Sequence, residues 1–266
     1  MTMEIIDTHA FYGRNEEFGY DFTLAQLKKT HEQHGVNFLA VSASPKTNRE
    51  IADVVSGNDF LLGAYLQIVP KEGFPWSYTS PDEIFEQSER REIRGLKFIP
   101  PLAGIPLDSE ELVPYLEIAE ARDIPFLFHC SATGADYDSF PQKRKLIENH
   151  PDLKVIFAHF GGLRADYNGS DKKDYFIGAV ELARTFPKVY LNTSGMSNDR
   201  VEHGTDEKGN LYKKTTTQKP DNAMLWQVIL SSSMQDPEIA GKVLFGTDYP
   251  VLPFSLHPFD KLFPIH

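Results

Sequence analysis

Eight short β-rich runs, each followed by a loop and a helix-forming stretch, predict an α/β protein: a single (β/α)8 TIM barrel over residues 1–266. The spacing supports this, because most run centres lie about 26 to 34 residues apart, the length of one strand–helix unit, with a wider gap of about 55 before the last. The composition does too. With 41% hydrophobic and 24% charged residues, the chain can bury a large core and is neither disordered nor fibrous in character.

The runs fall at residues 3–9, 36–42, 60–68, 94–99, 124–130, 153–159, 188–193 and 242–248, each rich in branched and aromatic residues and ending in polar or small ones. Between them lie helical patterns. In SEELVPYLEIAEAR, residues 109–122, Leu112, Leu116 and Ala119 share one face, and Asp108 or Ser109 is placed to cap it. After the seventh run a polar insertion, residues 199–219, holds a turn-like DEKGN between two segments able to pair as a hairpin. In a barrel that insertion projects from the catalytic rim, as a lid or as a plain surface excursion. The eighth unit is expected to lack a full helix, since 18 residues follow Asp248 and four are proline (Pro250, Pro253, Pro258 and Pro264). A sheet face left uncovered there predicts a homo-oligomer.

Asp and Glu number 38 against 27 for Lys and Arg, a net charge of −11 that repels nucleic-acid phosphates and anionic membranes. A small molecule is the expected partner. The lone Cys130 cannot form an internal disulfide, and no apolar run approaches the roughly 20 residues that span a bilayer. The start, MTMEIID, has no basic segment leading into an apolar one, so a cytoplasmic protein is expected.

Barrels carry their chemistry at the C-terminal ends of the strands. His9 closes run one, His129 run five, His159 run six and Asp248 run eight. Three imidazoles and a carboxylate on one rim suit a borderline divalent metal. A hydrogen-bonded core role for any one of these histidines is the plainer alternative. His159 precedes Gly161 and Gly162, which permit a sharp turn. Asp7 and Lys97 share the inward parity; Asp7 reads as a buried polar partner, Lys97 as an electrostatic or substrate contact. Cys130, one residue past His129, turns outward beneath a helix. Arg14 and Arg164, in rim loops, offer forks for a substrate carboxylate.

Taken with their order along the chain, IIDTHAF, GLKFIPP, FLFHCS, VIFAHFGG, YLNTSG and LFGTDYP resemble the amidohydrolase superfamily, in the branch of aminocarboxymuconate semialdehyde decarboxylase and related lactonases. The resemblance spans nearly the whole chain. It implies that His9, His129 and Asp248 are metal ligands and that His159 is the acid/base. The family's first strand carries H-x-H, whereas here the second histidine is replaced by Phe11, which has no donor atom. One divalent metal, zinc or else manganese, is therefore expected on three ligands. A metal-free reaction with His159 and Asp248 as proton carriers is the alternative that Phe11 opens. Phe11 can equally narrow the pocket for flat substrates. The expected activity is metal-dependent hydrolysis of a small polar or carboxylated lactone, ester or amide. The alternatives are non-oxidative decarboxylation of an aromatic or muconate-type acid, and a ligand-binding barrel without catalysis.

Overall fold

A computed structural model describes residues 4–15, 20–70, 78–130, 135–162, 172–195, 199–205, 211–217 and 235–250. Among these residues eleven strands run in chain order: β1 (Ile5–Asn15), β2 (Tyr20–Phe22), β3 (Val36–Ser42), β4 (Leu61–Ile68), β5 (Ile93–Phe98), β6 (Phe126–Phe128), β7 (Val155–Phe157), β8 (Val189–Asn192), β9 (Asp199–Thr205), β10 (Leu211–Thr217) and β11 (Val243–Leu244). The main helices are α1 (Leu24–His34), α2 (Asn48–Ser56), α3 (Pro81–Gln87), α4 (Pro100–Ala103), α5 (Val113–Ala121), α6 (Ala135–Asp138), α7 (Phe140–Asn149), α8 (His159–Gly162) and α9 (Lys172–Thr185).

Among the described residues one sheet has nine strands in the order β11-β8-β7-β6-β5-β4-β3-β1-β2. Only β2 runs antiparallel, against the far end of β1, so eight parallel strands remain. The segment after β11 closes the circle onto β1: Thr8 N donates to Phe245 O at 2.9 Å, Asp248 N to His9 O at 2.9 Å, and Phe11 N to Tyr249 O at 2.6 Å. This is the expected TIM barrel.

Burial on both faces explains why the strands read as nearly continuous apolar runs. One face of β3, with Phe38 and Ala40, packs into the layer between sheet and helices, where Leu27 of α1, Ile51 of α2, Ile84 of α3 and Leu116 of α5 meet it. The opposite face, with Val41, joins Phe11, Tyr65, Leu127, Ile156 and Ala158 inside the barrel. Gly95 on β5 makes room there: a Cβ on it would lie 2.4 Å from the Tyr65 ring. The expected stripe on residues 109–122 is present, with Leu112, Leu116 and Ala119 buried and Ser109 accepting from Glu111 N. Capping boxes start α1 (Thr23 with Gln26) and α7 (Ser139 with Gln142), satisfying amides that a helix start leaves unpaired.

Two differences from the sequence expectation have simple causes. β1 runs past His9 to Asn15 because β2 pairs with its last three residues, in the register Gly13 with Phe22, Arg14 with Asp21 and Asn15 with Tyr20. β6 and β7 shrink to three residues each, since the chain leaves the ladder soon after them to build the rim. The two segments of the polar insertion pair as expected, β9 running antiparallel with β10 from Thr205–Leu211 to Asp199–Thr217, while its DEKGN turn lies outside the described residues. Arg164 and the segment expected to replace the eighth helix, residues 251–266, lie outside the described residues. No described helix is long and apolar enough to cross a membrane.

Candidate active site

His9, His129, His159 and Asp248 meet at the C-terminal end of the parallel strands, as their places at strand ends predict. His9 projects from β1, His129 directly follows β6, His159 opens the turn after β7, and Asp248 lies on the closing segment after β11. His159 Nε2 is 3.0 Å from His129 Nδ1, the rings of His9 and His159 are 6.0 Å apart, and His9 Nε2 is 3.3 Å from Asp248 Oδ1.

Backbone conformation puts His159 there. Four successive residues take positive φ: His159 (54°), Phe160 (51°), Gly161 (79°) and Gly162 (112°). The glycines suit this; His159 and Phe160 bear the strain, which packing must offset. Phe160 is fully buried, and the buried Lys143 of α7 donates to the carbonyls of Gly161 (3.2 Å) and Asp138. Asp248 is left-handed as well, at 66°. Behind His159, Gly195 has φ 73°, and a Cβ on it would come within 2.5 Å of His159 Nδ1.

Hydrogen bonds assign the protons. His159 Nδ1 is 2.9 Å from the Ser194 carbonyl, which only accepts, so Nδ1 carries hydrogen and neutral His159 presents a lone pair at Nε2. His129 Nδ1–H then donates to it. On the other side, Lys97 Nζ lies 3.2 Å from His9 Nε2. An ammonium only donates, so the Lys97 contact makes His9 Nε2 an acceptor and leaves Nδ1–H to donate to Ser194 Oγ at 2.8 Å; Asp248 Oδ1, 3.3 Å from the same Nε2, then answers the charge of Lys97 rather than an imidazole N–H. Ser194 therefore couples the two histidines. Asp7 fixes the backbone beneath them: its carboxylate accepts from His9 N (3.0 Å), Thr247 N (3.1 Å) and the Thr247 hydroxyl.

Burial dominates the electrostatics. His9 is held well below the usual histidine pKa, first by desolvation and then by Lys97, His159 and His129, so it is neutral near pH 7. Desolvation lowers Lys97 to about 8, with Asp248 opposing the shift. Asp7 rises to about 6 through burial, its hydrogen bonds opposing. Cys130 sits in the outer layer, its thiol pushed up to about 12 by burial, which removes it as a nucleophile.

Phe11 stands 5.3 Å from His9, and Phe22 lies 5.9 Å from it in turn, with Tyr20 stacked on Phe22 at 5.1 Å. Burial and the charge of Asp248 raise the Tyr20 hydroxyl. An aromatic flank thus borders the polar cluster. Arg14 is exposed on the far part of β1, its carbonyl accepting from Ser44 Oγ at 2.9 Å. Sequence reasoning gave no role to Ser194 or Lys143. Ser194 lies within YLNTSG, directly after the seventh run, where strand-end position was the available signal; Lys143 reads as a polar helix residue.

The amidohydrolase sequence profile matches residues 17–263. The chain belongs to the amidohydrolase family. No curated protein sequence matches this amidohydrolase. Among solved structures it is similar to one from Acinetobacter baumannii bearing the name probable 2-pyrone-4,6-dicarboxylic acid hydrolase, at 15% identity and TM-score 0.65, covering 94% of this chain and 86% of that one. An amidohydrolase from Burkholderia multivorans with bound zinc gives 12% identity and TM-score 0.63 over 94% and 85%. The 5-carboxyvanillate decarboxylase of Sphingomonas paucimobilis gives 15% and 0.57 over 94% and 90%. At these identities the likeness shows the fold.

The family generally binds a divalent metal. The donors of this amidohydrolase do not fit one. A catalytic zinc takes about three protein ligands with lone pairs aimed at one point. Here Phe11 offers none and His9 Nε2 accepts from Lys97, while His129 turns Nδ1 to His159 and has only Nε2 left to offer. Among the described residues, no three His, Cys, Asp or Glu side chains form a group able to hold a metal ion. The three-ligand set expected of His9, His129 and Asp248 thus loses His9, whose Nε2 is taken by Lys97, and two donors fall short of the three a catalytic zinc takes.

Proposed function

We propose that this amidohydrolase hydrolyses a small carboxylated lactone, ester or amide, with His159 as the acid/base. One observation carries the reading: the Ser194 carbonyl pins the proton of His159 on Nδ1 and leaves a lone pair on Nε2, in contact with the half-buried His129. Asp248 keeps 14% of its side chain exposed, enough to meet a water. The water oxygen bonds to the carbonyl carbon, and the C=O electron pair moves to oxygen. The water proton passes to His129 Nε2 as His129 Nδ1–H passes to His159 Nε2. Asp248 accepts the water's second hydrogen bond and orients the attack. When the carbonyl re-forms, the scissile C–O or C–N bond breaks, and the proton returns by the same path to the leaving atom. Phe11, Phe22 and Tyr20 flank this point and favour a flat substrate; Arg14 and Arg164 are read as carboxylate contacts, and the β9–β10 hairpin as a lid.

The names of two similar proteins support the substrate class, since a pyrone dicarboxylic acid and a carboxyvanillate are both small carboxylated rings. The second also supports the rival reading, decarboxylation at the same residues. A panel of carboxylated lactones, esters, amides and aromatic acids, assayed with and without zinc or manganese, tests both. Turnover without carbon dioxide release that vanishes in His159→Asn is expected. Carbon dioxide release would replace hydrolysis by decarboxylation, and tight binding without conversion would replace both by a ligand-binding barrel.

A further inference from the structure

We infer that the ammonium of Lys97 stands where a divalent metal would, engaging His9 Nε2 beside Asp248, so that the cation of this site is built into the chain. Lys97 lies on β5 between Gln67 of β4 and Leu127 of β6, on the strand face that looks into the barrel. It is completely buried, as is His9. An imidazole nitrogen has one lone pair, which receives either an N–H or a metal ion. At His9 Nε2 it receives the ammonium, 3.2 Å away. Two like-charged cations cannot share so small a buried space, because the low dielectric makes their repulsion many times stronger than in water. Phe11 completes the exclusion by removing the neighbouring ligand that would tip the competition toward a metal.

Lys97 then acts as a positioning residue. By donating to His9 Nε2 it forces the His9 proton onto Nδ1, which donates to Ser194 Oγ, and the carbonyl of the same serine holds His159. It also supplies a positive charge near the Asp248 carboxylate. The chain Lys97, His9, Ser194, His159 thereby links the buried cation to the proton-transfer pair. This role rests on the hydrolytic reading for what it serves, but the exclusion of metal does not.

The test reads metal binding alone. Zn2+ affinity is measured by competition with a chromophoric chelator for the purified protein, Lys97→Met, Phe11→His and the double variant, with folding checked by circular dichroism. We expect the parent chain to bind no stoichiometric zinc and Phe11→His to gain less than about threefold. Lys97→Met should gain about tenfold or more, and the double variant roughly a hundredfold, because freeing His9 Nε2 and adding a ligand reinforce each other. About one tightly held zinc per parent chain would overturn the inference. So would a Phe11→His gain as large as that of the double variant. If Lys97→Met does not fold, Phe11→His alone decides: a gain below about threefold supports the built-in cation, and a gain of about tenfold or more refutes it. No substrate enters these measurements, so a failed hydrolysis screen does not alter what they decide.

Discussion

The two halves of the rim differ in how they treat charge. On the side of β1 and β5, His9, Lys97 and Asp7 are all completely buried, and each polar atom faces a fixed partner. On the side of β6 and β7, His129 is half-buried, His159 is 3% exposed, and a hydrogen bond joins the two imidazoles. In the proposed reaction the first half organises and the second moves protons. The same residue type serves both ends because the partners differ: His9 faces a fixed ammonium and a hydroxyl, whereas His159 faces a second imidazole.

The largest expected effect tests this division directly. His159→Asn should lower turnover about a thousandfold, the scale of lost general acid–base catalysis and roughly 4 kcal/mol of barrier, with folding stability changed by less than about 1 kcal/mol. His9→Ala should do the reverse in emphasis. It leaves Lys97 and Ser194 without a partner and should cost about 3 kcal/mol of stability in urea unfolding. Equal stability losses in the two variants would erase the distinction.

Asp7 sharpens it through pH. Its carboxyl is raised from 3.8 to about 6 in the folded chain by burial. The folded state therefore holds the Asp7 proton more tightly than the unfolded state between those values, and stability falls as pH rises through them. The contribution is complete below about pH 4 and gone above about pH 6. A shift of about two units corresponds to about 3 kcal/mol. Urea unfolding of the parent chain and Asp7→Asn, compared at about pH 4 and pH 7, should show the parent losing roughly that much relative to the variant. A parent stability that stays flat or rises relative to the variant between those pH values would mean that Asp7 is not desolvated as its neighbours imply.

The rim's outline was legible in the sequence because strand ends and period-two alternation are local. His9, His129, His159 and Asp248 close runs, and the barrel brings the ends of runs together. The loss of a metal ligand was equally legible, since Phe11 occupies the position two residues past His9 on the same face. The contact that gives this loss its meaning was not. Lys97 and His9 sit on strands 88 residues apart in sequence, and only the closed barrel sets Nζ against Nε2. Lys143 was hidden for a similar reason: a lysine on an amphipathic helix reads as solvated until the packing around α7 turns it inward to the Gly161 carbonyl.

Gly195 belongs to that second kind, a turn residue whose purpose appears only against His159. Gly195→Ala would press a methyl toward His159 Nδ1 at 2.5 Å while forcing alanine to φ 73°. We expect a cost of about 2 kcal/mol and a roughly tenfold loss of turnover, a smaller echo of deleting His159 itself. Unchanged turnover would show that the Ser194 carbonyl does not need to hold the ring.

The smallest effect comes from the residue nearest the rim that should take no part in it. Cys130 follows His129 directly, so strand alternation sends their side chains to opposite faces: the imidazole to the rim, the thiol to the layer beneath the helices. There Sγ donates weakly to the Phe128 carbonyl at 3.6 Å, and burial lifts its pKa to about 12. Cys130→Ala removes one buried sulfur and should cost about 1 kcal/mol in thermal unfolding while leaving turnover intact. The thiol should resist iodoacetamide at about pH 8 in the folded protein and react once urea unfolds it, because the thiolate that attacks is scarce in an apolar site. Rapid labelling of the native chain, or a turnover loss in Cys130→Ala comparable to that of Gly195→Ala, would place the sulfur on the rim beside His129 and undo the alternation on which the assignment of every inward residue depends.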